Sequence, residues 1–282
     1  PAVQDNLATL RRRGVVVAAG AVLVAAGGGE TARVKGLAAA ATHPGLAVRR
    51  RPRVGILATG DEIALPGEPL PPGGIVSSNA HALAALVRAG GGDPVVLPIA
   101  PDDRNAIAEA ARAARGLDLM VTTGGASVGE HDLIQAALGP EGFELGFWKI
   151  AMRPGKPLIW GRLGTTPLLG LPGNPVSALV CGVQFLLPAL AALQGLPAEG
   201  PPVRTARAGA DLAANDTRFD HLRASLALAE DGALVATPAA MQDSSMLATL
   251  ARADALILRA PHAAALPAGT AVEVVVLAEL GV

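Results

Sequence analysis

Short apolar runs rich in β-branched residues alternate with alanine-rich windows from residue 53 onward. This alternation is typical of a parallel sheet whose two faces are covered by helices. The pattern predicts strands at 54–58, 95–99 and 118–123, and connecting helices at 80–89, capped by Asn79, and at 102–115. We therefore expect an α/β fold built from repeated β-α-β units.

The next stretch predicts a short helix at 132–138, a hairpin within 143–160 and a strand at 168–171. A turn at 172–175 then opens a helix over 176–193 that carries no charged side chain. This helix is long enough to suggest a membrane span. Its proline, asparagine and glutamine residues favour a buried helix of a two-sided α/β fold instead, because such a helix is apolar on all sides.

Composition changes at 195–202, where proline and glycine predict a domain boundary. The following residues contain no long helical window, and they predict short strands at 225–228, 234–237, 255–258 and 272–277. The N-terminal residues are partly β-like, with a weak helical window at 32–41. Arginines at 11–13 before the apolar run 15–26 resemble a signal peptide, but glycines within and after that run favour short strands. The predicted units are a remnant of a preceding β-rich domain at 1–50, an α/β domain at 51–197 and a β domain at 203–282.

Charge and cysteine content narrow the class of protein. The chain has 23 Lys and Arg against 24 Asp and Glu, so it lacks the basic excess of nucleic-acid-binding proteins. Cys181 is the one cysteine among 282 residues, which excludes an intramolecular disulfide and predicts a reducing, cytoplasmic compartment. The five histidines lack the paired spacing of a zinc site. We expect neither nucleic acid nor a membrane as partner.

Carboxylates collect in the loops that follow the predicted strands. In an open parallel sheet these loops meet at the carboxyl edge of the strands, where ligands bind. The carboxylates predicted at this edge are Asp61, Glu62, Asp102, Asp103, Glu130 and Asp132. Hard oxygen ligands of this kind suit Mg²⁺ bridged to phosphate. Each one alone is also explained as a helix N-terminal carboxylate that the helix dipole favours.

Groups that suit an anion share the same edge. Thr123, Gly124, Gly125 and Ser127 combine hydroxyls with close backbone approach, which suits a phosphate. The helix start at 173–177 places an asparagine cap before a proline, so its free N–H groups can face an anion. An ordinary helix start has the same sequence pattern and is the alternative.

A cationic cluster lies in the predicted hairpin. Lys149, Arg153 and Lys156 fall within ten residues, and proline and glycine hold the segment rigid. Cations beside carboxylates suit an anionic substrate carried with a divalent metal, and the alternative is a solvated hairpin face.

The order and spacing of five motifs resemble the molybdopterin molybdenumtransferase family, that is, MoeA and the gephyrin E domain. The motifs are Thr-Gly-Asp-Glu at 59–62, Ser-Asn at 78–79, Thr-Gly-Gly-Ala-Ser-Val-Gly at 123–129, Met-Arg-Pro-Gly-Lys-Pro at 152–157 and Gly-Leu-Pro-Gly-Asn-Pro-Val-Ser-Ala at 170–178. Gln-Asp-Ser-Ser at 242–245 also resembles the terminal β-barrel of that family. The resemblance implies an α/β fold in which a central molybdopterin-binding domain with a mostly parallel sheet precedes a small C-terminal β-barrel.

The same resemblance implies a reaction, cofactors and partners. The reaction would insert molybdate into the dithiolene of adenylated molybdopterin with Mg²⁺, releasing AMP. The protein would form an elongated homodimer, and other molybdenum cofactor biosynthesis proteins are candidate partners. Family members have a long N-terminal region that helps to complete the active site across the dimer, which is here absent or reduced to 1–50. The alternative function is therefore a non-catalytic molybdopterin or molybdenum cofactor carrier.

Site residues are carried over by motif. The residues expected to be catalytic are Asp61, Asp102, Asp132, Lys149 and Arg153, where Arg153 stands at a position that some relatives fill with lysine. The metal would be held by Glu62, Asp102 and Asp132. The pterin substrate and its phosphate end would be bound by Thr123, Gly124, Gly125, Ser127, Lys156, Gly173, Asn174, Pro175 and Ser177.

Overall fold

The computed structural model describes residues 15–18, 21–24, 32–42, 46–124 and 130–282. Its N-terminal part is a three-stranded sheet of β1 (Val15–Ala18), β2 (Ala21–Val24) and β3 (Leu46–Ala47). Helix α1 (Ala32–Ala40) lies between β2 and β3 in the chain. This arrangement agrees with the partly β-like region and the helical window predicted there.

The α/β region is built on a six-stranded sheet with the strand order β7-β4-β8-β12-β11-β9. The strands of this region, in chain order, are β4 (Arg53–Ala58), β5 (Ile63–Ala64), β6 (Ile75–Val76), β7 (Asp93–Val96), β8 (Leu119–Thr123), β9 (Phe143–Trp148), β10 (Met152–Arg153), β11 (Ile159–Leu163) and β12 (Thr166–Leu171). Strands β7, β4, β8 and β12 are parallel, whereas β11 and β9 run antiparallel to their neighbours. The predicted mostly parallel sheet is confirmed.

Four helices cover the two faces of this sheet. They are α2 (Asn79–Ala89), α3 (Arg104–Ala113), α4 (Glu130–Leu138) and α5 (Pro175–Leu193), which contains one π-helical turn at Gly182–Leu186. Helices α2 and α5 share one hydrophobic core with the sheet, and α3 and α4 share another core on the opposite face. Both faces are therefore buried, which is why the central strands are continuous apolar runs.

Helix α5 is long and apolar enough to cross a membrane by length and composition. In the structure it packs against α2 and β12, and residues such as Val176, Val180 and Leu190 are at most 1% exposed. Burial within the α/β region accounts for its apolar composition. The helix therefore packs as the core helix that the sequence predicts.

The C-terminal region is a closed five-stranded barrel. Its strands are β13 (Val203–Ala208), β14 (Phe219–Leu228), β15 (Leu234–Pro238), β16 (Ala255–Arg259) and β17 (Ala271–Val276), and β14 pairs with β16 to close it. A short helix, α6 (Leu247–Ala251), precedes β16. Strand β13 is absent from the sequence prediction because Ala206 and Ala208, rather than β-branched residues, fill its buried positions.

The barrel and the α/β region share a strand pair and a core. The residues between β9 and β11 contain β10, which pairs in parallel with β14 of the barrel through Met152 and Arg153. Leu250, Leu256 and Val275 of the barrel region belong to the same hydrophobic cluster as α2 and α5. The predicted hairpin is correct for β9 and β11. The segment that connects them contains β10, which pairs with the barrel strand β14.

Candidate functional site

A cavity of about 950 Å³ lies at the carboxyl edge of the parallel strands, where the α/β region meets the barrel. Its volume is typical of pockets that hold a cofactor-sized ligand. The candidate residues that line it are Glu62, Thr123, Gly124, Arg153, Lys156, Gly173, Asn174, Pro175 and Ser177. Four separate sequence motifs therefore contribute candidate residues to one space.

Asn79 ties two of the cavity loops together. Its Nδ2 donates hydrogen bonds to Thr123 Oγ1 at 2.8 Å and to the Gly173 carbonyl oxygen at 2.7 Å. The sequence predicts that Asn79 caps α2, but among the described residues Ser78 occupies the cap position without a side-chain capping bond. Two loop acceptors lie within reach of the amide, so it bridges β8 and β12 instead.

Gly124 lets the loop after β8 pass close to the loop after β4. Its φ is +88°, and a Cβ atom built there would lie 2.4 Å from the Thr59 carbonyl oxygen. No residue with a side chain fits this position without displacing the backbone. Glycine at this position therefore allows the two loops to approach each other beside the cavity.

The start of α5 faces the cavity and is covered by a residue of the barrel region. Asn174 stands at the cap position and Pro175 at the first helical position, as the sequence predicts. Within the described chain, the Asn174 amide does not cap the helix and donates to Ser244 Oγ at 2.9 Å. The Val176 N–H donates to the Ser244 carbonyl oxygen at 3.2 Å. A barrel residue thus satisfies one of the helix N–H groups.

Arg153 lines the cavity, but its guanidinium is engaged by the barrel. It forms ion pairs with Asp220 and, at 3.1 Å, with Asp216. The hydrogen bond to Asp220, which is buried, is the main cause that raises the pKa of Arg153. The side chain therefore links the two halves of the molecule besides contributing positive charge to the cavity wall.

The two lysines of the predicted cationic cluster have different surroundings. Lys156 is exposed and lines the cavity. Lys149 is absent from the described lining, and its Nζ lies 3.6 Å from the centroid of the Trp148 ring, a cation–π contact. Its φ of +68° is uncommon for a residue with a side chain. The cluster is therefore only partly gathered at the cavity.

The carboxylates form a neighbouring group beside the cavity. Asp61 Oδ1 accepts a hydrogen bond from the Asp102 N–H at 3.0 Å, while Glu62 lines the cavity itself. Asp103 caps α3 by accepting from the N–H groups of the next turn, so the helix-start explanation holds for this residue. Among the described residues, no three Asp, Glu, His or Cys side chains form a group that could hold a metal ion.

Four candidate residues lie partly or wholly beyond what the structure describes. Gly125 and Ser127 fall in the undescribed stretch 125–129. Glu130 and Asp132 belong to α4 by their backbone, but their side chains lie outside the described residues. Their roles stay predictions.

Barrel residues complete the cavity wall, and the sequence prediction does not assign them to the site. Arg218 and the turn of residues 242–245 line the cavity. Within that turn, Asp243 Oδ1 accepts from the Ser245 N–H at 2.8 Å and from its hydroxyl at 2.6 Å, and these bonds lower the pKa of Asp243. The resemblance of 242–245 to the family barrel is the signal that could have identified them.

Comparisons with known proteins agree with this architecture. Residues 55–192 match the model of a probable molybdopterin binding domain, and residues 205–277 match the MoeA C-terminal region, domain IV. A molybdopterin molybdenumtransferase of Nostoc is 41% identical over 169 residues, which are 58% of this chain and 39% of the relative. Molybdopterin molybdenumtransferase 2 of Mycobacterium tuberculosis is 42% identical over 205 residues, which are 70% of this chain and 50% of the relative.

A solved structure has the same fold. The molybdopterin biosynthesis MoeA protein of Pyrococcus horikoshii superposes with a TM-score of 0.71 at 28% sequence identity, over 86% of this chain and 59% of that one. The chain spans about half the length of the curated relatives it matches. Two adjoining family models, these relatives and the shared fold agree, and the chain belongs to the MoeA family.

Proposed function

We propose that this chain binds adenylated molybdopterin in the cavity and takes part in the insertion of molybdate into its dithiolene, with release of AMP. The observation that carries the proposal is the cavity of about 950 Å³ at which the family motifs of the α/β region meet the barrel. The names of these relatives, molybdopterin molybdenumtransferases, support the same activity. We also propose the domain limits 51–197 and 203–282.

The described residues suit an anionic substrate. Thr123, Asn174 and Ser177 place hydroxyl and amide groups on the wall, where the Thr123 hydroxyl and the Asn174 amide already hold hydrogen bonds within the protein. Lys156 adds a positive charge. Such groups are fixed before the ligand arrives, so they stabilise negative charge without reorganisation. In this proposal they hold the phosphate end of the substrate with Gly124, Gly173 and Pro175, and Gly125 and Ser127 extend the same loop. The protein then contributes by orientation and electrostatics.

The remaining candidates act at the border of the cavity in this proposal. Arg153 adds positive potential while the barrel holds its guanidinium. Lys149 lies a few residues before Arg153 and Lys156 in the chain. Asp132 is on α4, the helix that follows the loop after β8. We propose that Lys149 and Asp132 approach the substrate once it is bound.

We propose a requirement for Mg²⁺ from the donor chemistry at the neighbouring loops. Mg²⁺ is commonly held by one or two carboxylates together with substrate phosphates, so a complete protein ligand set is not needed. Asp61 and Asp102, which are joined by a hydrogen bond, and Glu62 on the cavity wall fit that role. When bound, the ion would neutralise phosphate charge.

Calorimetric titration with adenylated molybdopterin tests the proposal. Binding that strengthens with Mg²⁺, followed by AMP release on addition of molybdate, is the expected result. Binding without AMP release would favour the carrier function. Absence of binding would refute the assignment to the pterin.

A matched pair of variants tests the site. We expect Lys156→Ala to raise the Kd about tenfold, the effect of losing one charge-assisted hydrogen bond. Arg162→Ala removes an exposed positive charge from β11 outside the lining, and it should bind like the unmodified protein. Equal loss in both variants would point to a diffuse charge effect and contradict the site.

We also propose that the protein is a homodimer in the cytoplasm. The segment 63–76 beside the cavity exposes large apolar side chains, among them Leu70 at 51% and Ile75 at 54%. Contiguous exposed apolar residues commonly mark protein interfaces. Sedimentation equilibrium should give twice the monomer mass, and Leu70→Glu should lower the dimer fraction. A monomer at all concentrations would contradict the homodimer.

A further inference from the structure

The turn of residues 242–245 belongs to the barrel region but helps to build the start of α5. It lies between β15 and α6, and all four of its residues line the cavity. Ser244 accepts the Val176 N–H at its carbonyl oxygen and the Asn174 amide at its hydroxyl. The turn therefore contacts the start of α5 through two hydrogen bonds.

One side chain fastens the turn to the barrel. Gln242 Oε1 accepts a hydrogen bond from the Arg223 N–H at 3.0 Å. Its Nε2 donates to the carbonyl oxygens of Arg223 at 3.0 Å and Ala239 at 2.9 Å. Gln242 thus contacts both backbone groups of a β14 residue, whose carbonyl oxygen also accepts the Ala239 N–H at 2.8 Å.

The chemistry of these three bonds requires a primary amide. The group must offer one acceptor to an N–H and two donors to carbonyl oxygens, and a neutral side-chain amide supplies both. An ionised carboxylate would place an oxygen against two carbonyl oxygens. Arg223 also contacts the residue before the turn through its side chain. Its Nη2 donates to the Met241 carbonyl oxygen at 3.4 Å.

We propose that Gln242 is a positioning residue, which acts through Ser244 to set the start of α5 and so the affinity of the cavity for its anionic substrate. The identity of that substrate rests on the proposed function. The position of the turn does not, and it can be measured without a ligand.

Two glutamine-to-methionine variants separate positioning from general stability. Gln194 makes a comparable set of bonds outside the cavity lining, since its Nε2 donates to Gly90 O at 2.8 Å and Leu190 O at 3.0 Å. Gln242→Met and Gln194→Met therefore lose similar amide bonds at similar side-chain volume. Both should lower the urea midpoint of unfolding.

Only Gln242→Met should change the site. We expect the Val176 amide hydrogen to exchange about tenfold faster by NMR, because its acceptor is no longer held in place. We expect the Kd for adenylated molybdopterin to rise about fivefold to tenfold, the loss for one or two hydrogen bonds. Gln194→Met should leave both values unchanged. Unchanged Val176 exchange in Gln242→Met, or equal effects in both variants, would overturn the proposal.

Gln242→Glu is a second variant that keeps the shape of the side chain. Its protonated form regains a donor, so its Kd relative to the unmodified protein should fall as the pH is lowered through the pKa of the new carboxyl group. A constant ratio across the pH series would contradict the role of the amide bonds.

A double-mutant cycle tests whether Gln242 acts through Ser244. If it does, Gln242→Met combined with Ser244→Ala should weaken binding by less than the product of the two separate losses. A loss equal to that product would contradict the route. If the unmodified protein does not bind adenylated molybdopterin, the proposed function fails and Val176 exchange alone decides the positioning role. If it binds but the two glutamine variants behave alike, only the positioning role fails.

Discussion

Asn79→Ala removes the side chain that joins the loops after β8 and β12. The free energy of unfolding that is lost depends on the surroundings of the two broken hydrogen bonds. Thr123 is 2% exposed, and among the described residues its hydroxyl would keep a long contact of 3.4 Å to the Pro172 carbonyl oxygen. The Gly173 carbonyl belongs to an exposed residue and can accept a hydrogen bond from water instead. We therefore count about 1 to 2 kcal/mol, mostly from the buried hydroxyl. Urea unfolding followed by circular dichroism measures this loss.

The same variant should weaken ligand binding, because the loops after β8 and β12 lose their fixed spacing. A loss of about 1.4 kcal/mol corresponds to a tenfold higher Kd for adenylated molybdopterin in calorimetry. Asn105→Ala is the control, since Asn105 is an exposed residue in the first turn of α3 and should change stability by less than about 0.5 kcal/mol. If Asn79→Ala binds as tightly as Asn105→Ala, the bridging bonds do not hold the cavity in its binding form.

Three further outcomes test other parts of the structure. Gly124→Ala should abolish substrate binding in calorimetry, because its Cβ would lie 2.4 Å from the Thr59 carbonyl oxygen. Burial lowers the pKa of His221 from 6.5 to about 4, so its contribution to stability is present above pH 6.5 and is lost as the pH falls toward 4. Urea titrations should show a loss of about 3 kcal/mol across that window, which His221→Phe should remove. Arg153→Met should lower Tm because it leaves the buried Asp220 carboxylate unpaired, and adding Asp220→Asn should restore part of the loss.

The parallel sheet could be predicted because burial on both faces makes its central strands continuous apolar runs. Strands β4 and β8 lie within one residue of their predicted limits. The sequence predicts β7 at 95–99, but the strand lies at Asp93–Val96, because it is an edge strand and an edge tolerates Pro94. The apolar pattern alone placed that strand after its proline.

Elements defined by long-range pairing could not be predicted from local pattern. Strand β10 has two residues, and its partner on β14 lies more than sixty residues away in the chain. The π-helical turn at Gly182–Leu186 lies in the same uncharged, mostly apolar run as the α-helical turns on either side of it. Neither feature has a local signal of period two or 3.6 that separates it from its surroundings.

The candidate site shows the same division between local and long-range information. Loop residues such as Gly124 and Asn174 could be predicted, because a glycine after a strand and an asparagine before a helical proline have local causes. The partners of those residues, Thr59 and Ser244, come from other loops and depend on the tertiary fold. Ser244 and Arg153 reach in opposite directions across the same boundary, so the cavity depends on the α/β region and the barrel together. A change within the barrel can therefore alter ligand affinity without touching a motif of the α/β region.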